Sequence, residues 1–174
     1  SCCSSNGSKL ERTARLVMDL TNERTIQQPV EKLPWYRSRL LGVEIGPTGH
    51  NDKDDVFMSR ATGKEIIENL VKAKAEYTVI FFKDWQFAYY DSKVAPKAPG
   101  IGNRDLFTEC VEEAKKHNLP IVAYCIVQHD GATYERHPEW RMKDKDGNDI
   151  KPRLCYNSGY IEHVKQVVEE MMEY

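Results

Sequence analysis

The sequence lacks a charge excess of either sign: 25 lysines and arginines stand against 27 aspartates and glutamates, a formal net charge of −2. That balance argues against nucleic acid as a partner and leaves no acidic or basic tail. No apolar run approaches the ~18 residues that a membrane span requires, so no transmembrane segment is expected. The five cysteines form no C-x-x-C pair, which argues against a zinc knuckle or a thioredoxin-like site. Cys110 and Cys125 fall in apolar patterns and read as buried small hydrophobes. There is no H-E-x-x-H, and His129, His137, Glu135 and Glu139 fit no helical ligand spacing, so no metal site is expected. No glycine-rich turn follows the first strand pattern directly, and Pro47 removes an amide from Gly46-Pro47-Thr48-Gly49. No nucleotide or other cofactor is therefore expected. An intact leader is also missing. Residues 1–8 (SCCSSNGS) resemble a small, polar tether left after leader removal, which points to an exported protein (periplasmic, cell-surface or extracellular), with a disordered N-terminus as the plainer reading.

What is present is alternation. Residues 9–21 carry Leu10, Ala14, Val17 and Met18 at helical spacing, and residues 22–40 are a polar connection holding Pro29 and Pro34. Residues 40–46 (LLGVEIG) form a first strand pattern. Thr62, with Glu65 three residues on, has the form of a capping box opening a helix that carries Ile66, Ile67, Leu70, Val71 and Ala75 on one face. Residues 77–82 (YTVIFF) are a strand pattern apolar on both faces. After a long loop, Asn103 is the expected cap of a helix bearing Leu106, Phe107, Cys110, Val111 and Ala114, closed by cations and Asn118. Residues 119–127 read as a third buried strand. A polar excursion over residues 128–157 contains Asp146-Gly147, a hairpin-turn signal, and Trp140 is expected to pin that excursion to the body. A last helix starts near Tyr160.

Apolar strands alternating with amphipathic helices predict a parallel sheet covered by helices. The long, polar and aromatic loops follow the strands and the short ones precede them, as in a (β/α)8 barrel, whose site lies at the C-terminal strand ends. The predicted fold is α/β, a partial TIM barrel of about the first three βα units preceded by an N-terminal helix. Residues 1–39 are assigned to the tether, helix and connection, and residues 40–174 to the barrel part. A barrel typically needs ~250 residues, so a longer parent is expected, with the remaining barrel segment, or self-association, covering the open sheet. A small doubly wound α/β binding domain is the alternative.

Residues 77–92 (YTVIFFKDWQFAYYDS) resemble the second strand and loop of α-L-fucosidase-like glycoside hydrolases, which read roughly K-H-H-D-G-F-x-x-W-D-S there. Here Asp84 and Trp85 replace the histidine pair. Arg104-Asp105-Leu106-Phe107 and residues 114–119 (AKKHNL) resemble the next helix and its exit. The resemblance extends, more closely, to a little-characterised group of glycosyl hydrolases related to α-amylase-type barrels. That group shares His50 after the first strand, the Lys83-Asp84-Trp85 turn and a third-strand ending like Gln128-His129-Asp130. Coverage is about residues 40–174. The resemblance implies hydrolysis of O-glycosidic bonds by the full-length protein, a carbohydrate substrate, and a nucleophilic aspartate at the end of a fourth strand beyond this chain. A carbohydrate-binding barrel without catalysis is the other reading.

Glycoside hydrolysis needs two carboxyl groups flanking the bond, with polar groups and aromatic faces around the sugar. The candidate catalytic carboxylates in the chain are Asp84 and Asp130; the candidate sugar-binding residues are His50, Lys83, Asp84, Trp85, Gln128, His129, Arg153 and Asn157. Each has a plainer reading. Lys83 and Asp84 also suit a salt bridge at the rim, Trp85 a plug of the barrel mouth, His50 a solvated loop, and His129-Asp130 a cap.

Overall fold

The computed structural model describes residues 33–46 and 56–174. The helix expected over residues 9–21, Cys2, Cys3 and His50 lie outside them. Trp35–Tyr174 form one compact unit. In chain order its elements are α1 (Trp35–Ser38), β1 (Gly42–Ile45), α2 (Gly63–Lys72), β2 (Tyr77–Lys83), α3 (Leu106–Lys116), β3 (Ile121–Cys125), α4 (Gly131–Arg136), β4 (Arg141–Lys143), β5 (Asp149–Leu154) and α5 (Tyr160–Met172). Strands β1, β2 and β3 form a parallel sheet in that order, and β4 and β5 form a separate antiparallel hairpin. Asp144 shapes the hairpin turn by accepting hydrogen bonds from the Asp146 and Asn148 amides (2.9 and 2.8 Å), and Gly147 takes the left-handed conformation (φ 87°).

The helices form where the apolar periodicity lies. Thr62 caps α2, accepting from the Glu65 amide. The cap of α3 is Asp105, not the expected Asn103: the helix begins only at Leu106, and the Asp105 carboxylate accepts from the Thr108 amide. The other Asp105 oxygen accepts from the Asp91 amide (3.0 Å) and the Tyr174 hydroxyl (2.6 Å). Asn118 stops the helix as expected, in the left-handed region (φ 51°).

The core lies between the sheet and its helices. Phe107 stacks between Phe82 (centroids 3.6 Å apart) and Tyr174 (4.4 Å), with Tyr90 edge-on to Phe107 and Tyr174. Cys110 is fully buried, while Cys125 is half-buried. The loop after β2 is more than a connection, because Tyr89, Tyr90, Ala95, Ala98 and Ile101 are all buried in the core. Glu170 of α5 holds that loop by accepting from Tyr90, Ser92 and the Lys93 amide.

The third strand corrects the expectation of burial on both faces. Val122 and Tyr124 are 37% and 41% exposed. In register with Val79 and Phe81 they lie on the sheet face away from the core, on the edge strand of the described sheet, with Tyr124 stacked on Phe81 at 4.0 Å. A strand apolar on both faces matches a position inside a closed sheet, and β3 is an edge here.

Helices α2 and α3 touch through glycine. A Cβ on Gly63 would sit 2.5 Å from the Cys110 amide nitrogen, and the Gly63 amide donates to Glu109 (2.9 Å). Gly63→Ala is expected to destabilise by about 1–3 kcal/mol, because overpacking against backbone outweighs the helix-propensity gain. Thermal unfolding of the variant checks this.

Candidate functional site

The C-terminal ends of β2 and β3 converge on one polar cluster. The Ile126 amide donates to the Lys83 carbonyl (3.0 Å), tying the strand ends together. Lys83 ends β2 with its side chain almost wholly buried; its Nζ lies 3.0 Å from Asp130 Oδ2 and donates to the Asp84 carbonyl at 3.1 Å. The rim ion pair expected between Lys83 and the Asp84 side chain is thus replaced by one with Asp130. The reason is topological: parallel pairing brings the loop after β3 alongside the end of β2.

Asp130 is buried and multiply held. Oδ1 accepts from the Thr133 amide (3.0 Å), making Asp130 the N-cap of α4. Oδ2 faces both Lys83 and His163 Nε2 (3.6 Å). Burial by itself would raise the carboxyl pKa, but His163, Lys83 and the Thr133 amide together bring it down to about 2. His163 comes from the buried side of α5, lies 3.2 Å from Thr133 Oγ1, and sits beside the Tyr160 and Trp140 rings.

Asp84 is equally committed. Oδ1 accepts from the Gln86 and Phe87 amides (2.6 and 2.7 Å) and Oδ2 from the Tyr89 hydroxyl (2.6 Å), closing a tight turn at residues 84–87. Burial, together with this bond, pushes the Tyr89 hydroxyl pKa far up. The turn carries Trp85, which is half-buried and whose carbonyl accepts from the Gly131 amide (2.7 Å).

The structure therefore gathers Lys83, Asp84, Trp85 and Asp130 at the strand ends, with Gln128 half-buried and His129 exposed on the connecting segment. Arg153 and Asn157 are exposed and, among the described residues, make no hydrogen bond or ion pair to this cluster. The excursion that carries them is anchored by the Tyr160 hydroxyl, which donates to the Val127 carbonyl. Trp140 holds the excursion together, stacked on His137 at 3.7 Å and close to Tyr160. Sequence reasoning missed His163, Thr133 and Gly131. His163 had a legible signal, since it falls on the same α5 stripe as Tyr160, Val167 and Met171.

Among the described residues no group of three or more His, Cys, Asp or Glu side chains is placed to hold a metal, and no helix is long and apolar enough to cross a membrane. A groove of about 460 Å³ between α3, β3 and α5 is lined by Phe107, Val111, Leu119, Ile121 and Met171. It lies beside the start of β3, away from the polar cluster.

A family model described as hypothetical glycosyl hydrolase 6 matches residues 62–174. No curated protein sequence matches the chain. Among solved structures, the fold is similar to α-L-fucosidase isoenzyme 2 from Paenibacillus thiaminolyticus (24% identity, TM-score 0.67), covering 78% of this chain and 22% of that one. It is also similar to α-L-fucosidase AlfC from Lactobacillus casei (15% identity, TM-score 0.52), covering 79% of this chain and 56% of that one. The chain thus spans less than two thirds of either.

Proposed function

The chain belongs to the hypothetical glycosyl hydrolase 6 family, and from that premise we propose that it forms the first strands of a (β/α)8 barrel that hydrolyses O-glycosidic bonds in its full-length form. The observation that carries this reading is the convergence of Lys83, Asp84, Trp85 and Asp130 at the C-terminal ends of adjacent parallel strands, where (β/α)8 enzymes build their sites. In this reading the sheet face that carries Phe81 and the exposed Tyr124 is the one turned to the barrel interior.

In this reading the labour is divided. Asp84 accepts hydrogen bonds from its own loop, and Asp130 accepts one from the Thr133 amide and pairs with Lys83 at the end of β2, so both shape the mouth. Trp85, Gln128 and His129 face the sugar, with Arg153 and Asn157 on the excursion beyond them. The two carboxyl groups that flank the scissile bond, about 5–5.5 Å apart for retention, come from later strands.

A second reading, a carbohydrate-binding barrel without catalysis, is favoured by the same full engagement of both carboxylates. Turnover of a nitrophenyl glycoside panel by this chain and by a form extended through the remaining strands separates the two. The hydrolase reading expects turnover by the extended form only. Sugar binding without turnover in the extended form supports the scaffold.

A further inference from the structure

We infer that Gly131 is the specificity-determining position of the mouth, acting by setting the pose of Trp85; this rests on the carbohydrate-site reading above. The backbones on the two sides are locked together. The Gly131 amide donates to the Trp85 carbonyl at 2.7 Å, and the same two segments are joined by the buried Lys83–Asp130 ion pair at 3.0 Å. With the backbone held, the indole's freedom lies in its side-chain torsions, and Gly131 limits them. A Cβ on Gly131 would lie 3.1 and 3.3 Å from Trp85 Cε3 and Cζ3 and 3.0 Å from Gln86 Oε1. The six-membered ring of the indole therefore rests against the bare Cα of the first residue of α4.

Backbone conformation does not call for glycine here. Among the described residues the glycines with positive φ are Gly102 and Gly147. Glycine in a helix costs roughly 1 kcal/mol relative to alanine. What the residue supplies is the space the indole occupies. Even a methyl group forces the ring, or Gln86, to move by a few tenths of an ångström. A stacking platform depends on such displacements, because binding groups must be held within roughly 0.5 Å of their working geometry. Gly131→Ala thus separates two effects: the helix gains propensity while the platform tilts.

The test uses the 174-residue chain, titrated with methyl α-L-fucopyranoside, methyl α-D-glucopyranoside and methyl β-D-galactopyranoside. The readout is NMR of the Trp85 indole N–H and the His129 amide. At least one glycoside is expected to bind the wild type. Gly131→Ala should weaken that binding about 3–10-fold and change the order of preference among the three, with an unchanged or higher melting temperature. Gly131→Val should weaken it further. In a Trp85→Ala background, Gly131→Ala should have no added effect, the signature of action through the indole. Equal affinity in the wild type and Gly131→Ala, or the same loss with and without Trp85, overturns the inference and leaves the carbohydrate site standing. Failure of the 174-residue wild type to bind any of the three overturns the inference, and failure of the extended form to bind them overturns the carbohydrate reading as well.

Discussion

Asp130→Ala is expected to lower the unfolding free energy by about 3–5 kcal/mol, the usual cost of breaking a buried ion pair from one side. The variant leaves the Lys83 ammonium buried without its carboxylate and removes the N-cap of α4 in the same step. Urea unfolding of the 174-residue chain measures it. The double variant Lys83→Met/Asp130→Leu should recover part of the loss, because the stranded charge is gone.

The same carboxylate gives a pH dependence of defined sign. The folded pKa is about 2, below the ordinary 3.8, so between those values the unfolded chain binds more protons than the folded one. The contribution of Asp130 is therefore fully present above about pH 4 and lost as pH falls through about 2. Its size is on the order of 2–3 kcal/mol. Urea midpoints at pH 5, 3.5 and 2 follow that loss, and Asp130→Asn should flatten the acid limb. An acid limb unchanged by Asp130→Asn would assign it to other carboxylates.

Phe107→Ala is the second large effect, about 3–5 kcal/mol. Phe107 is the middle ring of the Phe82–Phe107–Tyr174 stack, so its loss opens a cavity and removes the stacking partner of both neighbours at once. Phe107→Leu keeps most of the volume and should cost less than half as much. A near-UV circular dichroism change in Phe107→Ala, together with a lower urea midpoint, would show the stack disrupted. A midpoint within 1 kcal/mol of wild type would show that the sheet and helices hold without it.

The regular elements were legible because each buries one side at a fixed period. The strand pattern at residues 77–82, the Thr62 cap, the Asn118 stop and the Asp146-Gly147 hairpin turn all act locally, and the structure keeps them, while the pattern at 119–127 gives the shorter strand Ile121–Cys125 with exposed side chains. What was illegible depends on distance along the chain. Asn103 and Asp105 are both good helix caps, and the choice falls to Asp105, whose carboxylate also serves the Asp91 amide and the Tyr174 hydroxyl, 14 and 69 residues away. Tyr89 and Tyr90 are fully buried in a loop without periodicity, so nothing in their spacing marks them as core. The candidate site divides the same way. Lys83, Asp84, Trp85 and Asp130 were identifiable as strand-end residues, but the partner of Lys83 lies 47 positions on, and only the parallel register brings the two together.

The excursion after β3 and the start of α5 bury a cluster in which Tyr134, Leu154 and Trp140 pack with Tyr160 and Val164, separate from the cluster under the sheet. It meets the strand ends through a few residues: Asp130, Gly131, Tyr160 and His163. The consequence is evolutionary modularity. The hairpin can lengthen, shorten or change its side chains while the sheet keeps its packing, provided those anchors stay. The surface beside the strand ends can thereby change in one segment, while fold integrity is guarded in another.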